Sequence, residues 1–505
     1  MKKIIFFLFC WSHLSLLNAQ QWEWARKMDN HTYANFLRLF PCGHSGFYVT
    51  GNYTDSLWID GHTLYRDTNM RHPGSPELSG FLGKFDTNGQ CLWLKNTFYS
   101  FDACPDAAGN IYLSGFFSGQ FILDGNILNT TRDYATAIAK ISSSGTLLNL
   151  EKVDGIGRCE MELNSANQLI VATGVQDSLI YKGTVFKDST GLVLKLDSSL
   201  TLLHASQSNA YSVVVQLELD MKDSIYLVAH KSYPCMYCVD CKIIKYSPSL
   251  EFLIDYFHSG GVTSHYYNDP YIVSHTDGNL YIIKPRTYGD ATVMKYNTQL
   301  QKLWTKKPVW RGNVISNNNK LFLIGETTGM YCGDSVIKSS IVIELDTSLN
   351  CLAYKALPLE NILTGPGPFF RDGFADEFNN IYVTGLTDKT TNFDSTTITG
   401  ATGNRAVFIA KLKFDGVPDA VKSYAAEEMI SVYPNPSSGV FTINFNTQIT
   451  EAKISVYGVL GNCISTKVCK NVMTDHLDLG CEIKGIYFME IISGDERLVK
   501  KMVLH

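Results

Sequence analysis

Three things are scarce in this 505-residue chain. The first is charge: Asp, Glu, Lys and Arg make up 18% of residues and the net charge is −5. With no basic patch, nucleic acid is not an expected partner. The second is long apolar runs. After the first twenty residues no segment holds eighteen consecutive apolar residues, so no membrane-spanning helix is expected. The third is catalytic signatures. There is no HExxH helix, no GxSxG elbow and no phosphate loop. Carboxylates are numerous, yet their order offers no pair of the kind that glycoside hydrolysis needs.

Aromatic residues are plentiful, with 27 Tyr and 27 Phe. They lie with Val, Ile and Thr in short runs between Gly, Asn and Asp, which is the composition of an all-β protein. The length exceeds one ordinary core, so a large domain and a smaller one are expected.

The chain begins MKKIIFFLFCWSHLSLLNAQ. Lys2 and Lys3 precede a short apolar core, Ile4 to Trp11, and Leu17-Asn18-Ala19 sets a small residue at a cleavage position. This reads as a secretory signal peptide over residues 1–19, with Gln20 as the mature start.

One unit then recurs. GNIYLSG from Gly109 and NNIYVTG from Asn379 have relatives at Gly46, Asn167, Asp223, Gly278 and Asn319. A second element follows each, as in GFLGKFDTNGQCLWLKN from Gly80. Lys84, Lys140, Lys195, Lys245 and Lys295 stand 56, 55, 50 and 50 residues apart. That spacing holds about four short strands with turns, the content of a propeller blade. The last copy stops after Phe414-Asp415-Gly416, while QWEWARK at Gln21 to Lys27 resembles the fourth strands LWLKN and KLWTK. Residues 20–417 therefore read as a seven-bladed β-propeller closed by its N-terminal strand, Trp22 to Lys27 lying beside Phe408 to Lys413. One of Trp22 and Trp24 is expected to be buried at a blade interface. Copies four and five look short, because SYPCMYCVDC and KPRTYGD occupy the space of a strand, and are expected to be three-stranded or distorted. The unit resembles the β-propeller repeats of many secreted bacterial proteins, which implies a fold and no activity.

Thirteen cysteines leave twelve after Gln20. In an exported chain the default is a disulfide. Cys235, Cys238 and Cys241 are the densest group. Three thiolates at this spacing suit zinc or an iron–sulfur cluster, but no fourth ligand other than His230 is near. Disulfide formation is the reading adopted, with no cofactor and no metal. Residues 20–417 hold nine cysteines and 429–505 hold three, so neither piece pairs fully within itself.

Residues 418–428 are a polar linker. Pro434 and Pro436 then exclude helix and begin a new strand pattern, so 429–505 reads as a small β-sandwich. Tyr433-Pro434-Asn435-Pro436 with Gly439, the ISVYGVLG hairpin, Gly485-Ile486-Tyr487-Phe488, and the terminal Lys500-Lys501 fall in the order of the type A C-terminal sorting domain of the Bacteroidetes type IX secretion system. The resemblance implies that Tyr433, Pro434, Asn435, Pro436, Gly439, Gly485, Tyr487 and Lys501 belong to a sorting signal. It implies crossing of the inner membrane by the signal peptide, export of a folded cargo through the outer membrane, and release or surface attachment. The partner it implies is the secretion machinery. Asp-Ser-Leu or Asp-Ser-Val at Ser56, Ser178 and Ser335 resembles the short O-glycosylation motif of such exported proteins, and also reads as a shared turn. Asp106 to Asn110 and Asp376 to Asn380 lack the ligand spacing of a calcium loop and read as turns.

The reading is an exported, non-catalytic binding or scaffold propeller, with an unknown protein or glycan ligand. The alternative is a secreted enzyme acting on polysaccharide from a site in the central funnel. Carboxylates or His gathered in the funnel favour the alternative.

Overall fold

The computed structural model describes residues 20–414 and 430–505, except 31–33, 44, 68–77, 134, 156–157, 176–177, 188–190, 209–210, 212, 231–238, 263–270, 285–291, 307–309, 318–319, 332–333, 359–368, 388–389, 401–405, 459–462, 481–483 and 494–495. The signal peptide, the linker, Cys235 and Cys238 lie outside the described residues. The chain divides into two compact units, Met1–Asp415 and Gly416–His505.

The larger unit is all-β. Its described strands form five four-stranded antiparallel sheets, two six-stranded sheets that each extend a four-stranded row by a two-stranded ribbon, and two separate ribbons. The four-stranded rows are meanders 1–7. Meander 1 holds Ala34–Pro41, Phe47–Tyr53, Ser79–Phe85 and Cys91–Thr97. Meander 2 holds Tyr99–Pro105, Ile111–Phe117, Ala135–Ile141 and Leu147–Asp154. Meander 3 runs from Glu160–Leu163 to Leu202–Ser208, meander 4 from Val213–Leu219 to Phe252–Val262, meander 5 from Tyr271–Ser274 to Lys302–Lys306, and meander 6 from Trp310–Asn317 to Cys351–Pro358. Meander 7 has Phe369–Ala375, Ile381–Thr387 and Ala406–Phe414, and its fourth place is taken by Gln20–Asn30, which pairs from Gln20↔Phe414 to Met28↔Val407.

The sequence dictates the turns. Between first and second strands, Asp106 Oδ1 accepts the Ala108 and Asn110 amides at 3.0 and 2.9 Å. One residue of the turn leading into the second strand takes a left-handed conformation, at Gly109, Asn167, Asp223, Gly278 and Asn379. These are the residue types that tolerate it. Between third and fourth strands the same conformation falls on Gly89 and Gly145, but also on Leu200, Leu250 and Leu300. Left-handed leucine costs roughly 1–2 kcal/mol. These three side chains are buried, which contributes about 1.5–3 kcal/mol each in return.

The recurring lysine has a physical role. Its Nζ crosses to a turn carbonyl of the following meander: Lys84 to Ser143, Lys140 to Ser198, Lys195 to Pro248, Lys245 to Thr298 and Lys295 to Thr347. In four of these the ammonium also lies over a tyrosine ring, Tyr48, Tyr112, Tyr226 or Tyr281, at 4.7–5.4 Å. Meander 6 has Glu344 in that position, paired to Lys320.

The cores lie between meanders. Seven apolar clusters each join two consecutive meanders, and one of them joins the seventh to the first through Phe47, Phe85, Phe374 and Tyr382. At that junction Trp24 Nε1 donates to Thr87 O at 3.2 Å, as Trp93 Nε1 donates to Ser143 O at 3.1 Å between meanders 1 and 2.

Two expectations need correction. Meanders 4 and 5 are four-stranded. Other meanders carry a two-stranded ribbon between second and third strands, such as Ser56–Ile59 with His62–Tyr65, or Ser178–Tyr181 with Thr184–Lys187. Among the described residues meanders 4 and 5 show no such ribbon, and a short connection there does not mean a lost strand. Ser56 and Ser178 open ribbon strands, and Asp334-Ser335 begins the third strand of meander 6. Nor is only one of the two tryptophans packed. Residues two apart share a face in a regular strand, but a register shift between Trp22 and Trp24 separates them. Trp22 is 1% exposed against Phe370 and Phe393, and Trp24 packs on Phe47 and Tyr382.

Cysteine divides. Cys351 is disulfide-bonded, whereas Cys42, Cys91, Cys104, Cys159 and Cys469 keep their thiols. Burial pushes the Cys91 and Cys159 thiols up to about 12, so both stay neutral and pack as small apolar groups.

The smaller unit is a five-stranded sheet system. Ile430–Tyr433 pairs with the first part of Val440–Gly458, which also pairs with Cys463–Asp478 and Gly485–Ser493, and Glu496–Leu504 completes the row. Phe441, Ile454, Val456, Met489 and Met502 are among its core residues.

Candidate functional site

Two places gather polar or exposed side chains with no evident packing role, one in each unit.

In the smaller unit the sequence-matched residues divide by what they touch. Tyr487 is core, 6% exposed. Gly439 is packed so that a Cβ there would come 3.1 Å from Gly480 Cα, which leaves no room for a side chain without movement. Gly485 starts the strand that pairs with the C-terminus, opposite Leu504. Asn435 is a latch: its Nδ2 donates to Lys501 O at 2.7 Å and its Oδ1 accepts Val503 N at 2.9 Å. Ser437 N donates to Val503 O and His505 N to Ser437 O. The proline-flanked loop and the last five residues thus form one surface, although 66 positions separate Asn435 from Lys501. Tyr433, Pro434, Pro436 and Lys501 are exposed on it. Ile486 and Phe488 stand in the matched block without being assigned to the signal, and they face outward at 40% and 39% exposure. Their signal was present: GIYFMEIIS is apolar at alternate positions on both sides, which a strand with one buried face does not need.

In the larger unit the first strands carry charge. Arg38 and Asp102, on meanders 1 and 2, pair at 3.0 Å, and Arg158 pairs with Glu160 on meander 3. A first strand has no sheet partner on one side, so its amides need acceptors. Carboxylates of the preceding meander supply them. Asp372 accepts Leu39 N, Asp102 accepts Met161 N, Glu162 accepts Leu219 N and Glu218 accepts Ser274 N, at 2.7–2.8 Å. Burial pushes Glu160 and Glu218 up to about 7 and Glu162 well above its usual range. Burial also raises Asp102 and Asp372, against the pull of Arg38. Burial alone would lower Arg38, but Asp102, Glu160 and Asp372 outweigh it. Asp102, Glu160 and Asp372 thus share Arg38, and Arg158 adds to Asp102 and Glu160, while Glu218 lies beside Glu162, so ionising all five is unfavourable.

Cys241 lies in the strand Val239–Tyr246, paired with His230 and His258 along the backbone. Asp106 and Asp376 spend carboxylate oxygens on their own turns. Among the described residues no helix is long and apolar enough to cross a membrane.

Residues 431–505 match the family described as the secretion system C-terminal sorting domain. That match is to a sorting domain of type IX secretion and indicates export to the cell surface or extracellular space. No curated protein matches the chain. Among solved structures, a fungal alcohol oxidase of the AA5 family in complex with copper aligns at 12% identity over 96% of this chain and 100% of its own, with TM-score 0.42. A sialidase from Streptococcus pneumoniae aligns at 8% identity over 78% and 70%, TM-score 0.38. A periplasmic gluconolactonase from Pseudomonas aeruginosa aligns at 10% over 66% and 95%, TM-score 0.35. With TM-scores below 0.5, none brings an activity to this chain.

Proposed function

We propose that the protein is an exported binding or scaffold propeller of a Bacteroidetes-type secretion route, delivered by its C-terminal unit. In this reading residues 1–19 are a cleaved signal peptide, 20–417 a ring of seven blades, 418–428 a linker and 429–505 the sorting domain. The observation that carries it is the sorting-domain match over residues 431–505. The latch of Asn435 onto Lys501 and Val503 supports it by joining both motif blocks in one surface. Support for a closed ring comes from the seventh-to-first core and from the Asp372 and Trp24 contacts, which repeat those at other junctions. Such a ring presents loops around an axis, where propellers take up protein or glycan ligands.

The carboxylates of the first strands favour a second reading, an enzyme acting on glycans. Against it, four of them hold amides of the next meander and so serve the ring itself. Deleting 429–505 tests the proposal: the truncated protein is expected folded in the periplasm and absent outside the cell. Undiminished appearance outside overturns it.

A further inference from the structure

We infer that the export machinery docks on the outward side of the last two strands, Gly485–Ser493 and Glu496–Leu504, with Ile486 and Phe488 at the centre and Lys501 at the margin. This rests on the sorting reading and names the surface that reading leaves open.

Alternation puts Tyr487 and Met489 inside, at 6% and 0% exposure, and Ile486 and Phe488 outside. Directly opposite Phe488 stand Lys501 on one side and Tyr457 on the other. Directly opposite Ile486 stands Val503. Tyr457, Phe488 and Lys501 form a row across three strands, with Ile486 and Val503 beside it. The Tyr457 hydroxyl is turned to Glu490, to which it donates at 3.0 Å. Two large apolar side chains therefore project beside a lysine on a small sheet whose core does not use them. Adjacent exposed apolar groups of this kind mark interaction surfaces.

The fold also indicates how the partner binds. The outer edge of Glu496–Leu504 would ordinarily offer bare amides and carbonyls to an added strand. Asn435 and Ser437 fill its C-terminal end, through Lys501 O, Val503 N and Val503 O. Strand addition is blocked at that end, beside Ile486 and Phe488, and the partner meets the flat side there through side chains. It is a protein surface with an apolar pocket for Phe488 and Ile486 and a carboxylate within reach of Lys501.

The test uses the full chain in a host with active type IX secretion. Ile486→Thr/Phe488→Thr keeps β-compatible residues at exposed positions, so the purified protein should melt within about 2 °C of the parent. Its extracellular fraction should fall about tenfold, the effect of roughly 1.4 kcal/mol of lost docking, with accumulation in the periplasm. Lys501→Glu should reduce export and Lys501→Arg preserve it. Val468→Thr/Met473→Thr, both 54% exposed elsewhere in the unit, should export like the parent. Parental export of both the threonine pair and Lys501→Glu, while the 429–505 deletion stays inside, overturns the docking face alone. Export of the deletion overturns the sorting reading itself. If the threonine pair does not fold, Lys501→Glu decides.

Discussion

Trp22→Ala is the sharpest perturbation of the larger unit. Trp22 is 1% exposed, with ring centroids 6.0 Å from Phe370 and 5.2 Å from Phe393. Its amide donates to Asp394 at 2.8 Å, and Asp394 also pairs with Lys355 on the meander 6 side. The alanine variant keeps the backbone contact but leaves a large cavity and loses two aromatic pairs. Truncation of a buried Trp costs about 3–5 kcal/mol, out of a typical total of about 5–15 kcal/mol. Roughly 400 residues at about 2.1 cal/mol/K each give a transition entropy near 0.8 kcal/mol/K, so a loss of about 4 kcal/mol lowers Tm by about 5 °C. Scanning calorimetry measures this, and limited trypsin digestion reports separately whether Arg26 and Lys27 become cleavable as the strand frays. Leu92→Ala, at a position 46% exposed, is the control and should stay within about 0.5 kcal/mol. If Trp22→Ala melts within a degree of the parent and stays trypsin-resistant, the N-terminal strand does not close the ring.

Thermal stability should fall as pH rises from 5 to 8. The folded values of Glu160 and Glu218 are raised to about 7, above the unfolded range near 4.3, so their contribution is full below that range and is lost as pH rises through 7. Asp277 and Asp124, lowered in the folded state, act oppositely and lose their contribution only in stronger acid. A Tm that climbs steadily from pH 5 to 8 contradicts this. Cys235, Cys238 and Cys241 should yield at least one disulfide in unreduced peptide maps. About one zinc or iron per chain, in protein purified without chelator, contradicts that.

The repeat was legible because each copy carries its turn residues and its lysine at fixed offsets, and that lysine bridges to the next meander. The sorting motifs were legible because Gly439, Tyr487 and Asn435 each have a local reason to be what they are. The carboxylates of the first strands were not seen together, since 56 or more positions separate members of different meanders. Their signal was positional: Asp102, Glu160 and Asp372 stand four residues before the turn residue Asp106, Asn164 or Asp376, and Glu162 and Glu218 stand two before Asn164 or Asp220. Only strand register converts those offsets into a common edge. Copies four and five misled because a short connection alone does not show that a strand is lost.

Fractionating the full-length chain from paired hosts, one with and one without a working type IX system, tests the central claim most directly. The account predicts protein at the surface or in the medium of the first, and folded protein held in the periplasm of the second. Equal amounts outside both hosts contradict it.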